Sequence, residues 1–244
     1  MKAMIFAAGL GSRLKPITDT TPKALVPIAG KPLLQHVIEK LKMSGFTDIV
    51  VNVHHFSDQI IDFLKMNNNF GLKIAVSDES DLLLDTGGGI RKAAHLLDDG
   101  EPFLIHNVDI ISNANLKELY SYHLSHDGMA TMLVSQRETS RYLFFDDEER
   151  LRGWMNEKTG EIKSPFPDFR PENYKRYAFS GIQVMSPGIF KYMEGYPEKF
   201  PIMDFYLQQA AEIEIKSHLV SDLRMVDVGK INALKEAEDA IKLM

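Results

Sequence analysis

The 244-residue sequence contains no cysteine. Disulfides, thiol nucleophiles, Cys-zinc sites and iron–sulfur clusters are therefore excluded together. It also lacks any apolar run near the roughly 18 residues needed to span a bilayer. The opening Met1-Lys2-Ala3-Met4-Ile5-Phe6-Ala7-Ala8 is too short for the core of a signal peptide and runs directly into Gly-Leu-Gly-Ser-Arg. It reads as a buried strand, with a cytoplasmic location and no membrane partner as the expectation. There is no basic excess: 28 Lys and Arg against 34 Asp and Glu give −6. That balance argues against nucleic acid as a partner, although a local basic pocket is still allowed. Repeats and low-complexity tracts are missing as well, and the expectation is a monomer or a weak homo-oligomer. No Gly-x-Ser-x-Gly elbow supports serine hydrolysis, and no His-Glu-x-x-His pairing supports zinc.

What is present is an alternation of strand and helix. Residues 3–8 form a continuous apolar run, as in a strand buried on both faces. Leu33, Leu34, Val37, Ile38 and Leu41 have helical spacing within 32–44, with Gly45 behind them. Strands are predicted at 49–53, 73–76, 103–106 and 130–134. Helices are predicted at 57–65, capped by Ser57, and at 90–97 and 116–124. This order implies an α/β fold: a Rossmann-like, doubly wound, mainly parallel sheet whose ligands sit beyond the carboxyl ends of the strands. After residue 136 the rhythm changes to a strand pair at 142–145 and 150–154, a strand at 178–184, and helices at 187–193, 204–211 and 230–243. One domain is expected, with a core at 1–135, an inserted substrate lobe at 136–222 and a return to the core at 223–244.

The first chemical signal is the long connection at 9–31. It carries three glycines, three prolines, Arg13 and the lysines 15, 23 and 31. Glycine lets backbone N–H groups converge on an anion, and Arg and Lys supply charge. Leu14 occupies the third glycine position of a dinucleotide fingerprint, and no P-loop begins at Gly9 or Gly11. The string Ala-Ala-Gly-x-Gly-x-Arg-Leu-x-Pro-x-Thr…Thr-Pro-Lys-x-Leu-x-Pro resembles the signature of the sugar-1-phosphate nucleotidyltransferases. The resemblance implies a loop that wraps an NTP, contacting it through Ala8, Gly9 and Gly11. It also implies catalytic roles for Arg13 and Lys23 at the phosphates.

Two further segments carry the same resemblance. Asp85-Thr86-Gly87-Gly88-Gly89-Ile90 is similar in form to N-acetylmuramate-1-phosphate uridylyltransferases, which implies that Gly87 and Gly88 lie against the base, with the loop at 77–85 reading it. Asn107-Val108-Asp109 ends an apolar strand, and Met225-Val226-Asp227-Val228-Gly229 resembles the family's second metal turn. Asp109 and Asp227 are thereby implied to hold Mg²⁺, whose preference for oxygen ligands they suit. On the sugar side the resemblance points to Gly181, Glu157 and Lys158, with Trp154, the sole Trp, as a candidate stacking platform. The implied reaction transfers a nucleoside monophosphate from an NTP, UTP for preference, to a sugar 1-phosphate, releasing pyrophosphate. Mannose-1-phosphate guanylyl transfer, phosphocholine cytidylyl transfer and a nucleotide-sugar-sensing regulatory role are the alternatives.

Overall fold

The computed structural model describes residues 1–243. The first strand, β1 (Lys2–Phe6), leads into a loop broken into three short 3-10 turns and the small strands β2 (Pro27–Ile28) and β3 (Lys31–Pro32). Then follow α1 (Leu33–Met43), β4 (Asp48–Val53), α2 (Ser57–Met66), β5 (Lys73–Asp78), α3 (Asp85–Lys92), α4 (Ala94–Leu97), β6 (Phe103–Asn107) and β7 (Ile110–Ser112). After α5 (Leu116–His123) and β8 (Ala130–Ser135) come β9 (Arg141–Phe145), β10 (Leu151–Asn156), β11 (Glu161–Lys163) and the eleven-residue β12 (Lys175–Met185). The chain finishes with α6 (Ile202–Gln209), β13 (Ile215–Leu219), β14 (Met225–Asp227) and α7 (Asn232–Ile241).

Ten strands make one sheet in the order β11-β10-β9-β12-β6-β1-β4-β5, with β8 on β12 and β13 on β8. The half containing β6, β1, β4 and β5 is parallel, as the strand–helix alternation predicts. The half beyond β12 is antiparallel. Helices cover both faces because β1 is apolar on both. Ala3 and Ile5 join the core under α1, α2, α5 and α7, whereas Met4 points to the opposite core with Ile90, Phe205 and Tyr206. The stretch 136–222 does not stand apart, since β12 pairs with β6 and β13 pairs with β8.

Two local expectations are corrected. Ser57 does not cap α2: Phe56 holds the cap position in the left-handed region at φ 56°, and the Ser57 hydroxyl instead accepts from Ser80 Oγ at 3.2 Å. The helix expected from Ile90 begins five residues earlier, so Gly87, Gly88 and Gly89 lie inside α3 rather than leading into it. The 187–193 segment is helical, but of the tighter 3-10 kind. No helix among the described residues is long and apolar enough to cross a membrane.

The core contains two buried histidines. His106 and His123 are pushed down to about 4, chiefly by burial. Each is therefore neutral in the native state and takes up a proton on unfolding as pH falls through 6.5. Their contribution to stability is complete above about pH 6.5 and is lost between there and pH 4, amounting to about 2 kcal/mol each by pH 5. Urea unfolding at pH 7 and pH 5 checks this. His123→Gln should show a shallower loss between the two pH values than the wild type, and an equal loss would refute the assignment.

Candidate active site

The parallel strands end at a common edge, where the loops after β1, β4, β5 and β6 surround a cleft of about 320 Å³. Ala8, Gly9, Lys23 and Asp109 line it. Gly11 is not among the lining residues. Its φ of +64° turns the loop so tightly that a β-carbon would sit 2.8 Å from Thr18 Cγ2 and 3.0 Å from Lys23 Cβ. Thr18 Oγ1 donates to the Gly11 carbonyl at 2.8 Å and locks that turn. The residue thus aims Lys23 inward, where the largely buried ammonium donates to the Asp109 carboxylate.

Asp109 and Asp227 are 118 positions apart, yet strand register brings them together. β7 starts immediately after Asp109, and β14 pairs with it antiparallel so that Asp227 stands opposite Ile110. Val228 N–H donates to the Asp109 carbonyl at 2.8 Å. Gly229 then leaves room for Arg13: a β-carbon there would lie 2.7 Å from the Arg13 guanidinium and 2.8 Å from an Asp227 carboxyl oxygen. Arg13, Lys23, Asp109 and Asp227 thus form one cluster of alternating charge.

Gly87 and Gly88 are placed differently from the expectation of a base contact. Both N–H groups donate to the Phe200 carbonyl, at 2.9 and 3.2 Å. A β-carbon at Gly87 would meet the Phe200 ring at 2.3 Å, and one at Gly88 would meet the Glu198 carbonyl at 2.4 Å. Their small size serves close packing of α3 against the 198–200 segment. The residues that face the cleft here are Leu83, Asp85 and Thr86, with Lys199 also on its wall. Lys199 had no motif to mark it in the sequence.

A second cleft of about 490 Å³ lies on the antiparallel half. Its floor is one face of β9, β10 and β11. Cross-strand register aligns Arg141, Asn156 and Glu161 in one row and Leu143, Trp154 and Lys163 in the next, and all six line the cleft. Trp154 has the Lys163 ammonium 5.5 Å from its ring centre. Glu157 and Lys158 are not among the lining residues. They belong to the exposed turn between β10 and β11, where Glu157 pairs with Arg176. The Glu and Lys that alternate into the cleft are Glu161 and Lys163, because side chains on a strand share a face at every second position.

Arg137 and Gly181 relate the surroundings of the two clefts, which share no lining residue. Arg137 lines the second cleft, donates to the Phe179 carbonyl at 3.0 Å, and is close enough for its charge to act on Asp227. Gly181, at φ +73°, interrupts the register of β12, and a β-carbon there would press on Asn107 and Ile110 at 2.9 Å each. Gly181 therefore shapes the wall behind Asn107. Sequence reading missed Arg137, whose only signal is its place just after strand β8.

The model of the nucleotidyl transferase family matches residues 2–242. The chain belongs to the nucleotidyl transferase family. It is 48% identical over 113 residues to the N-acetylmuramate alpha-1-phosphate uridylyltransferase of Neisseria meningitidis serogroup B, covering 46% of this chain and 48% of that one. It is 34% identical over 210 residues to mannose-1-phosphate guanylyltransferase 1 of Arabidopsis thaliana, covering 82% of this chain and 55% of that one. The chain spans about half the length of the curated relatives it matches. A UDP-glucose pyrophosphorylase from Acinetobacter baumanii shares the fold, with a TM-score of 0.78 at 16% identity over 99% of this chain and 93% of that one.

In this nucleotidyl transferase, Asp227 has its pKa raised by loss of water around it and by the charge of Asp109, against the opposing pull of Lys23, Arg13 and Arg137. The charge of Asp109 thus opposes ionisation of Asp227, and a divalent cation held by both would relieve that repulsion. Hard oxygen donors suit Mg²⁺. Among the described residues no group of three or more His, Cys, Asp or Glu side chains could hold a metal, and beyond these two carboxylates the other positions around such an ion would fall to phosphate and water. Asp227 and Asp109 would hold the ion.

A raised pKa means that stability is lost as pH rises from the unfolded-state value of Asp227 through its folded-state one, so the ionised group detracts fully above both. In chelator at pH 7.5, Asp227→Asn should melt no lower than the wild type. Added Mg²⁺ should then raise the melting temperature of the wild type but not of the variant. A variant that melts several degrees lower without metal, or that responds to Mg²⁺ like the wild type, would refute the metal-ligand assignment.

Proposed function

We propose that the chain transfers a nucleoside monophosphate, uridine monophosphate for preference, from an NTP to the 1-phosphate of a hexose derivative of the N-acetylmuramate type. The observation that carries this reading is the convergence of Arg13, Lys23, Asp109 and Asp227, with Lys23 and Asp109 lining the first cleft and Arg137, whose charge reaches Asp227, lining the second. One cleft is suited to a nucleotide and the other to a sugar. The second has the chemistry of a carbohydrate site: a Trp platform beside planar, multiply hydrogen-bonding Arg, Asn and Glu side chains.

An oxygen of the sugar phosphate attacks the α-phosphorus of the NTP, a P–O bond forms, and the bond to the bridging oxygen of the β-phosphate breaks. Pyrophosphate departs with that oxygen. The attacking phosphate is already ionised, so no protein base is required, and catalysis is positioning plus neutralisation of charge. Ala8 and Gly9 allow the backbone to approach the phosphates. Arg13 compensates charge gathering on the leaving pyrophosphate. Lys23, released from Asp109 by the incoming substrate, holds non-bridging oxygens at the reacting phosphorus. Arg137, in the second cleft, holds the acceptor phosphate in line. Mg²⁺ bound by Asp109 and Asp227 would act as the Lewis acid on the phosphate oxygens.

Uridylyl transfer is favoured by the 48% identity to the Neisseria protein. Guanylyl transfer to mannose 1-phosphate is the second reading, supported by the longer alignment to the Arabidopsis protein. The test is pyrophosphate release over a grid of UTP, dTTP, CTP, GTP and ATP against muramate-, glucosamine-, glucose- and mannose-type 1-phosphates and phosphocholine, with Mg²⁺. One dominant pair is expected, with UTP as the donor. Release with no pair, from folded protein that still binds an NTP, would sink the reading. With the active pair, Asp109→Ala should lower kcat by about 10² or more, the scale for losing one strong electrostatic contact.

A further inference from the structure

One buried polar pair in the nucleotide cleft has no part in the chemistry above. Asn52 lies at the end of β4 and is 3% exposed; Glu79, just after β5, is fully buried. Asn52 Oδ1 accepts from the N–H of Ala7 at 2.7 Å and of Ala8 at 3.3 Å. Its Nδ2 donates to Glu79 Oε1 at 2.7 Å. Glu79 Oε2 accepts from the N–H of Leu84 at 3.1 Å. A continuous chain of hydrogen bonds thus runs from the strand end that presents the phosphate loop to the turn that presents Asp85 and Thr86. Ala8 at one end, the pair itself, and Leu83 and Asp85 on either side of Leu84 at the other end border the same cleft.

The arrangement is costly for a merely structural link. A buried carboxylate needs compensation, and no cationic side chain among the described residues bonds to this one. Gly89 shows how closely it is confined: a β-carbon there would lie 2.7 Å from Glu79 Oε1 and 3.3 Å from Asn52 Nδ2. Beyond Leu84, Asp85 is held at φ +62°, a region that side-chain-bearing residues rarely occupy. The fixed Leu84 N–H is what that strained turn is built on.

We infer that Asn52 and Glu79 are positioning residues that lock the base-facing turn to the phosphate loop, and so determine how strongly the site discriminates one nucleotide base from another. The inference rests on the nucleotidyl-transfer reading and deepens it. A triphosphate held by the loop presents its base at a distance and angle fixed by the ribose. Only a turn rigidly referenced to the loop can judge that base. A turn free to drift by an ångström would accept several bases with similar contacts.

The direction of each hydrogen bond supplies the test. Glu79 accepts twice, which a carboxylate can do and an amide of one orientation cannot. Glu79→Gln therefore sets an amide N–H₂ against either Asn52 or the Leu84 N–H. Asn52→Asp sets a carboxylate oxygen against Glu79. The double exchange, Asn52→Asp with Glu79→Gln, restores every bond with the central one reversed. The amide N–H₂ introduced at position 79 donates to the carboxylate introduced at position 52. That carboxylate still accepts from Ala7 and Ala8, and the amide oxygen at position 79 accepts from Leu84. A purely steric role would not distinguish these variants, because all are nearly isosteric.

The experiment measures kcat and KM for the preferred and the next-best NTP, together with calorimetric binding of inorganic tripolyphosphate with Mg²⁺. For Glu79→Gln, the preference ratio in kcat/KM should fall about tenfold, the scale of one unsatisfied buried hydrogen bond, mainly through KM for the preferred NTP. Tripolyphosphate binding should hold within about twofold, since Asn52 still orients Ala7 and Ala8. The double exchange should recover most of the lost preference. An unchanged ratio in folded Glu79→Gln, or a double variant no better than the worse single one, overturns the inference. If Glu79→Gln does not fold, Gly89→Ala, which pushes on the same carboxyl oxygen without replacing it, must show the same loss of preference. If the wild type binds NTPs but releases no pyrophosphate, the transfer reading fails, and the same ratios taken from calorimetric Kd values decide this inference separately. A wild type that binds no NTP overturns both.

Discussion

The site depends on the docking of β14 against β7. That contact is only three residues long on each side, yet it carries Asp227 across the molecule to Asp109 and delivers Gly229 to the place where Arg13 needs space. Without it the edge of the sheet would hold one carboxylate neutralised by Lys23, an ordinary buried ion pair with no evident use. With it, the edge holds two acids and two bases in close alternation, an arrangement that is poor for stability and good for gathering phosphates. The tension is expressed in Asp227, whose carboxyl resists ionisation while it faces Asp109. A polyanionic substrate and a divalent cation complete this charge pattern.

Much of the parallel half could be read from residues alone. Continuous apolar runs marked β1, β4 and β6, and the spacing of Leu33, Leu34, Val37, Ile38 and Leu41 marked α1, because a strand covered on both faces and a helix covered on one have distinct periods. The three-residue strands β7, β11 and β14 were not legible, and neither was the five-residue β13. A three-residue strand has no period to detect, and its existence is decided by a partner far away in sequence. The phosphate loop was recognisable because its residue types are chemically unusual in combination. The meeting of Asp109 with Asp227 came from resemblance to a family rather than from spacing.

The placement of other residues is instructive in the same terms. Gly87 and Gly88 suggest close approach, and the close approach they provide is to Phe200 and Glu198. A glycine run reports that something is near, without saying what. Glu157 and Lys158 fall outside the cleft lining through phase: the hairpin reverses beyond Asn156, and the acid and base that return to the cleft face lie a few residues later, at Glu161 and Lys163. Arg137, Lys199, Asn52 and Glu79 carried no motif at all. Their importance comes from tertiary neighbours.

The length of β12 has a mechanical consequence. Its first residues pair with β9, which helps floor the second cleft, and its last pair with β6, which ends in the first. Two lobes joined by a flexible linker could close on substrates like jaws. Two lobes sharing one hydrogen-bonded strand cannot swing apart without unzipping it. The clefts therefore behave as fixed halves of a mould.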